Sequence, residues 1–450
     1  MVFRYSDLYS HTAYQCKISP DCTYLANAVD KRLVIRRHSH DLAIVHIFHC
    51  MRTIDLVVWS PDSRYVLNAH YASGTIEVWE VGGTPWHSTI QETASKITSI
   101  RWSTDSKTVI SACDLRMVFW NLADQRIEYI RYPKFADKGC EPSPDGKYLA
   151  IVEMKHGKDH ISIYNGSTLV LLTQFATDTV DMENLQWSPD SRYIAVWDDC
   201  LYYQLLIYRP DGYLVASYQA YEYGLGIKSV TWSHNSQLLA IGSYDQKIRI
   251  LSTSSWDVCG ILSHPSVQRP TNKAYPIIYE ESINLSTTTP SAIPAIEYRQ
   301  IIRRPFNIPI LRPEYNIHHP KTGIGLCQFS ADGNMICARN DAMPTTLWLW
   351  STKDMQCCAI IIQQKPIRQA LWNPRRFLLA MICGDEHIYI IQHQHQENAS
   401  HHAIGNIRIL PLAVPTSQFN IRKIQWTPEG ESLLLLDNNL YCLASLKVPV

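Results

Sequence analysis

Four histidines, at 393, 395, 401 and 402 in HQHQENASHH, are spaced closely enough to share a metal ion. A zinc site needs nitrogen or sulfur ligands fixed on a rigid element. This run has no thiolate or carboxylate partner on such an element, so its composition fits a solvated loop. Asp245, in SYDQK, has the type of a general base but sits at a turn between two strand-like runs, where an Asp commonly bonds and holds the preceding loop. The 13 cysteines are odd in number, form no CxxC pair, and lie mostly in apolar runs, as Cys337 does in MICAR and Cys383 in AMICG. Their only close pair is the adjacent Cys357 and Cys358, so they read as reduced, core-filling thiols. GxxxxGK[ST], GxGxxG after a strand, GxSxG and HExxH are all absent. The expectation is a chain without catalytic residues, metal or cofactor.

Binding chemistry is better represented. AYEYGLG, residues 220–226, enters a strand with two amphipathic rings, a carboxylate and two glycines, where a few small polar residues would do. YPKFADKG supplies Tyr132, Pro133 and Lys134; DDCLYY supplies Asp198 and Asp199; NDAMPTT supplies Asn340 and Asp341. Aromatic and charged side chains on loops held by a rigid scaffold are the usual means of binding a partner. The alternative for each tyrosine is packing over the strands beside it. In an extended loop Tyr221 and Tyr223 would face one way, as two rings for a partner helix, and Glu222 the other. Gly224 and Gly226 would let the backbone turn sharply into the strand.

The elements that position these loops repeat along the chain. The pattern apolar-x-Ser-Pro-Asp-x-x-apolar recurs in CKISPDCTYLA, VVWSPDSRYVL, SIRWSTDSKTVI, CEPSPDGKYLA and LQWSPDSRYIA, then more loosely in VTWSHNSQLLA, CQFSADGNMIC, ALWNPRRFLLA and IQWTPEGESLL. Between the first six serines the intervals are 41, 43, 40, 45 and 45 residues. That period, with four strands per unit, marks an all-β chain of WD-repeat β-propeller type with eight or nine blades. In each unit a strand meets the motif, a tight turn reverses it, and a second, a third such as TLWLW, and a weaker edge strand follow. Trp59, Trp102, Trp187, Trp232, Trp372 and Trp426 share one repeat position, which assigns them to core packing. Residues 1–450 are expected to form one propeller, with VFRYSDLY completing the last blade beside LYCLASL, because an unpaired edge is a liability.

Two spacings break the period. The interval of 97 residues between the sixth and seventh motifs places an insertion at 264–321, after an edge strand. Its Pro, Thr and Ser content predicts a mostly mobile loop, dispensable for folding, except in IEYRQIIRRPFNIPILRPEY. A shorter insertion, at 393–402, carries the histidines.

Composition limits the remaining classes. Lys plus Arg is 41 and Asp plus Glu is 41, so no overall field draws the chain to nucleic acid or an anionic membrane. The first residues lack the apolar run of a signal peptide, and no stretch approaches the ~18 apolar residues of a membrane span. A soluble, intracellular protein is expected, in which the sequons at Asn165, Asn284 and Asn398 carry no glycan. A translation-initiation propeller would need a basic surface, a propeller enzyme convergent carboxylates or metal ligands, and a ubiquitin-ligase substrate receptor a Trp-Asp-x-Arg motif.

The blocks YIRYPK, AVWDDCLYYQLLIYRPDGYLVASYQAYEYGLGIKSVTWS, AIGSYDQKIRIL and HPKTGIGLCQFSADGNMICARNDAMPTTLWLW together resemble the WD repeat-containing protein eight family, WD-repeat proteins of centrosomes and fungal spindle pole bodies. The resemblance runs from the first motif to the last and is strongest over 178–251 and 320–350. It implies a non-catalytic scaffold that binds a coiled-coil spindle-anchoring protein related to the synovial sarcoma breakpoint-interacting protein. It further implies recruitment of a minus-end-directed kinesin and an indirect link to microtubules and the gamma-tubulin complex.

Overall fold

A computed structural model of the chain describes residues 2–39, 41–83, 85–93, 96–270, 276–284, 295–312, 320–393, 407–414, 416 and 419–447. The repeated motif folds the same way in copy after copy. Ser19, Ser60 and Ser188 each donate from Oγ to the carboxylate two residues on, at 2.6 Å. The same Oγ accepts the N–H five residues on, from Tyr24, Tyr65 and Tyr193, at 2.9 Å. These bonds close a turn whose fourth residue is left-handed: φ is 59° at Cys22, 62° at Ser63 and 61° at Ser191, and a glycine stands there at 146 and 333. A left-handed non-glycine residue costs roughly 1–2 kcal/mol, and two side-chain hydrogen bonds of about 1 kcal/mol each offset it. Ser63, Ser106 and Ser191 also accept the backbone N–H of Asp21, Asp62 and Asp145 in the preceding repeat, at 3.0, 3.0 and 3.1 Å.

Each motif joins the first two strands of an antiparallel meander. In blade one these strands are Cys16–Ile18, Tyr24–Val29, Arg32–Arg37 and Ile44–His49. Eight such meanders and a ninth sheet give nine WD-type blades. Among the described residues the one helical element is the 3-10 turn Tyr71–Ser73. The blades fall into two compact units: Met1–Asp199 with Gln204–Ala220 and Thr427–Val450, and Cys200–Tyr203 with Tyr221–Trp426. The first unit holds blades one to five and most of blade nine; the second holds blades six to eight and strand Lys423–Trp426.

Within each unit the core lies between successive blades. Trp59 packs with Leu33, Ile35 and Val66 of blades one and two, and Trp372 with Cys337, Leu349 and Leu379 of blades seven and eight. The tryptophans are core, as their shared position requires, and they also bond. Trp59, Trp187, Trp372 and Trp426 donate from Nε1 to the backbone carbonyls of Lys17, Glu141, Gln328 and Leu371, at 3.0, 3.0, 3.2 and 3.1 Å. Each acceptor lies on the first strand of the preceding blade.

The chain start closes blade nine, as expected. Strand Val2–Tyr5 pairs antiparallel with Leu440–Lys447, Phe3 opposite Leu446, and Tyr9 pairs with Tyr441 farther along. The Tyr441 hydroxyl, fully buried, donates to Asn27 at 3.0 Å.

The long insertion departs from the expectation of a mobile loop. Strand Ile277–Asn284 lies parallel to Cys357–Ile362, the outermost strand of blade seven, and pairs with Ala295–Ile301 to make a six-stranded sheet. It is held by buried polar groups: Tyr389 Oη donates to Glu281 Oε1 at 2.8 Å, and the Gln364 N–H donates to Glu281 Oε2 at 2.7 Å. Ile278 and Tyr279 are core residues. Ser/Thr/Pro content misled here because it reports the whole segment, whereas PIIYEESIN opens on a short apolar run that packs on both faces and pairs. Most of the Ser/Thr-rich stretch, and the His/Gln-rich segment past His393, lie outside the described residues.

Two outcomes follow for stability. Removing residues 1–9 strips one strand from blade nine, and urea unfolding is expected to lose several kcal/mol; an unchanged midpoint would refute the closure. Replacing residues 277–301 by a short Gly-Ser link strands the Tyr389 hydroxyl and uncovers the apolar edge of blade seven. Its thermal midpoint is expected to fall by several degrees, and an unaltered melt would show the hairpin to be a passive appendage.

Candidate functional site

In the second unit the aromatic loop is built from its tethers outward. Gly226 N–H donates to the Cys200 carbonyl at 2.7 Å, and a Cβ on Gly226 would strike the backbone of Tyr202. Gly224 has φ +119°, a conformation open to glycine. The two glycines therefore do separate work: Gly224 turns the chain, and Gly226 lets it pass against the Cys200–Tyr203 segment. Tyr221 lies edge-on to Tyr203, with centroids 4.7 Å apart, and donates its hydroxyl to the Leu225 carbonyl. The Arg249 guanidinium stands 5.5 Å from the Tyr221 ring and 5.4 Å from that of Tyr203. Burial pushes the Tyr221 phenol up to about 12.

Asp245 holds this arrangement from below. Arg249 Nη2 donates to it at 2.6 Å, Ser243 Oγ at 2.5 Å and the Lys247 N–H at 3.2 Å. Burial alone would raise its carboxyl, but the Arg249 and Ser243 bonds outweigh that and keep it below the ordinary value. An ion-paired Asp with every donor intramolecular is a brace, not a base. A concave pocket of about 330 Å³ lies over it, walled by Tyr221, Tyr223, Leu225, Tyr244, Gln246 and Thr322. Asn340 Nδ2 donates to Gln246 Oε1 at 2.9 Å, and Lys228 bridges the Thr322 carbonyl and Asp341 at 2.6 and 2.8 Å. The NDAMPTT loop is thus bonded to the pocket wall. Beneath Gln246, His264 Nδ1 donates to the Gln246 carbonyl at 3.0 Å and its ring meets Trp348 and Trp350 edge-on.

In the first unit Lys134, on the YPKFADKG loop, is paired with two carboxylates. Lys134 reaches Asp159 at 2.8 Å and Asp181 at 2.7 Å, with 7% of its side chain exposed. Asp198, fully buried, accepts the N–H groups of Val180 and Asp181 at 3.2 and 3.1 Å. Burial raises its carboxyl to about 6, against the effect of those two bonds.

These contacts narrow the expected partner surface. Pro133, Asp198 and Asn340 are buried, and Lys134, Asp199, Tyr221 and Asp341 are half-buried and bonded within the chain, so they support loops rather than face solvent. Tyr221 and Tyr223 do not form a ledge of two free rings: Tyr221 is a tied wall, while Tyr223 is 85% exposed. Tyr132, Glu222 and Tyr223 remain exposed. Leu201 and Tyr202, 58% and 45% exposed on the segment tied to Gly226, were missed as contact residues, although DDCLYY holds them. Among the described residues no three His, Cys, Asp or Glu side chains are placed to hold a metal ion, and no cysteine is joined in a disulfide. No helix among them is long and apolar enough to cross a membrane.

Comparison with known proteins places the chain. The WD domain, G-beta repeat family matches residues 85–121 and 212–252. The mouse WD repeat-containing protein WRAP73 is 32% identical over 98% of this chain and 96% of its own length. The chain belongs to the WRAP73 family of WD-repeat proteins. An uncharacterized WD repeat-containing protein of Schizosaccharomyces pombe is 22% identical over 88% of this chain and 82% of its own. The C-terminal WD40 domain of Sif2 superposes with a TM-score of 0.52 at 11% identity, covering 99% of both chains, which is a likeness of fold. This WRAP73-family chain is therefore a propeller scaffold for protein–protein interaction, in a family that is generally non-catalytic.

The buried histidine gives the pocket a pH limit. Because Nδ1 donates to Gln246, the neutral ring leaves Nε2 as a buried acceptor, and burial lowers the pKa from 6.5 to about 4. The unfolded chain takes up this proton first, so the contribution is complete above pH ~6.5 and is lost as pH falls toward 4. At 1.36 kcal/mol per unit the loss is about 3 kcal/mol. His264→Gln is expected to flatten the urea-stability profile between pH 6.5 and 4, and an unchanged slope would remove His264 as its source.

Proposed function

We propose that this chain is a non-catalytic scaffold of the microtubule-organising centre, at the centrosome or spindle pole body. In this reading it binds a coiled-coil spindle-anchoring protein, helps recruit a minus-end-directed kinesin, and so anchors microtubule minus ends in mitosis. The observation that carries the binding step is Tyr223: a large amphipathic ring, 85% exposed, on a loop braced by Gly226, Tyr221 and Asp245. Holding an aromatic anchor in place before binding reduces the ordering cost of association. Tyr202 and Leu201 stand on the segment to which that loop is bonded, and they extend the apolar surface a partner helix could cover. The location at the pole rests on the resemblance of the whole repeat array, now matched by a relative of nearly equal length.

Tyr223→Ala is expected to leave the melting temperature unchanged. Co-purification of the coiled-coil partner from mitotic cells should fall about thirtyfold, the equivalent of ~2 kcal/mol for an aromatic anchor, and the protein should be lost from the pole. Tyr221→Ala, which removes a tied wall, should lower the melting temperature instead. Full-strength partner recovery with Tyr223→Ala would overturn this placement of the interface.

A further inference from the structure

The outermost strand of a blade presents a row of backbone N–H and C=O groups with no neighbour in its own sheet, and blade seven shows one use of such a row. There Ile277 sits opposite Ala359 and Glu280 opposite Ile362, in parallel register. Alternate residues Ile277 and Tyr279 of the added strand pack in one cluster with Tyr389, Ile407 and Ile409, on the third and fourth strands of blade eight. The added strand is bonded along one blade and gripped by side chains of the next.

Blade two offers the same arrangement as an open groove. Its outermost strand, His87–Gln91, ends its sheet, and no further strand among the described residues pairs with it. A groove of about 500 Å³ runs along the strand, with Trp86 and the strand forming one wall and Trp120 and Ile127 of blade three the other. Trp120 lies on the third strand of blade three, as Tyr389 does in blade eight, and Ile127 opens the fourth, as Ile407 does. Two flanking bonds set the direction of the backbone: Glu80 N–H to the Trp86 carbonyl at 3.0 Å and Glu92 N–H to the Gly74 carbonyl at 2.8 Å. In an antiparallel ladder residues alternate, so Ser88 and Ile90 bond inward while His87, Thr89 and Gln91 turn their N–H and C=O groups away from the sheet.

We propose that this groove between blades two and three binds an extended segment of a partner protein as an added strand parallel to His87–Gln91. The segment would place aliphatic and aromatic side chains at alternate positions against Trp120 and Ile127. Strand addition takes its affinity from the main chain and its specificity from alternate side-chain pockets, and both are present here. The internal example in blade seven sets the occupant's pattern, Ile277-x-Tyr279. A single strand needs only ~4.8 Å of width beside the edge. A second copy of the chain would have to bring a whole blade past the wall of Trp120 and Ile127. This surface is separate from the Tyr223 loop and does not depend on the pole assignment.

The test is selection of displayed octapeptides on the full-length protein, followed by titration of the resynthesised binders. Enriched peptides should alternate aliphatic and aromatic residues, and should slow amide exchange at Thr89 and Gln91 while leaving Ser88 and Ile90 unchanged. Thr89→Pro deletes an outward N–H, which an edge strand tolerates, and should weaken binding at least ~10-fold with the same melting temperature. Ile127→Arg, at a side chain 56% exposed, should weaken it similarly without affecting folding, whereas Tyr223→Ala should not weaken it. Three results would overturn the proposal: no enriched peptide, binders indifferent to both groove substitutions, or bound peptides that leave the Thr89 and Gln91 amides unprotected. Concentration-dependent dimerisation lost in Thr89→Pro would identify a second copy as the occupant and overturn it as well.

Discussion

The bond from a first-strand tryptophan to the first-strand carbonyl of the preceding blade sets the terms for the rest of the structure. A large indole buries well only if its N–H is satisfied, and a carbonyl on a packed inner strand needs a donor that reaches it across the inter-blade gap. The Trp59–Lys17, Trp187–Glu141 and Trp372–Gln328 pairs meet both needs at once and fix the spacing of adjacent sheets. The serine bond across the motif turns, Ser63 to Asp21 and Ser191 to Asp145, fixes a second point on the same pair of blades. Two points per blade pair leave little freedom to slide. That is why the residues between them can be ordinary Val, Ile, Leu and Ala.

A scaffold fixed in this way can carry loops whose residues are spent on shape. In the aromatic loop, the donors that could have served catalysis are all used internally: Arg249 and Ser243 on Asp245, Lys228 on Asp341 and Thr322. What remains outward is the Glu222 carboxylate, the rings of Tyr223 and Tyr202, and the Leu201 side chain. The rings and the leucine gain free energy by being covered. The chemistry of the exposed residues therefore points the same way as the family.

Much of the fold was legible because its determinants are local. The Ser-Pro-Asp turn closes within six residues, and strand alternation is a property of each segment alone, so the repeat period, strand order and the closing role of VFRYSDLY could be read directly, whereas the sequence left eight or nine blades open and the sheets give nine. The hairpin at 277–301 could not, since what holds it is distant in sequence: Glu281 meets Tyr389 across 108 residues, and Tyr298 meets Gln363 across 65. The candidate site was legible in the choice of loops and illegible in the orientation of side chains. Asp198 and Asn340 look like surface charge and amide in sequence, but each answers a backbone or side-chain partner that only folding brings near. Leu201 and Tyr202 were overlooked because, within the DDCLYY loop, the two aspartates read as the contact groups.

Edge strands link these themes. Every meander ends in an outer strand that could pair with something else, and the chain treats its outer strands differently. Blade nine is completed by the chain's own beginning, and blade seven by its own insertion. Blade one keeps an outer strand, Ile44–His49, in which histidines at 46 and 49 interrupt the apolar pattern, a composition that discourages indiscriminate pairing. Blade two instead sets its edge inside a walled groove, where only a narrow, suitably patterned segment gains access. A propeller that closes some edges with its own chain and shields another behind a neighbour can use strand addition selectively, because the wall supplies a specificity that the backbone ladder lacks.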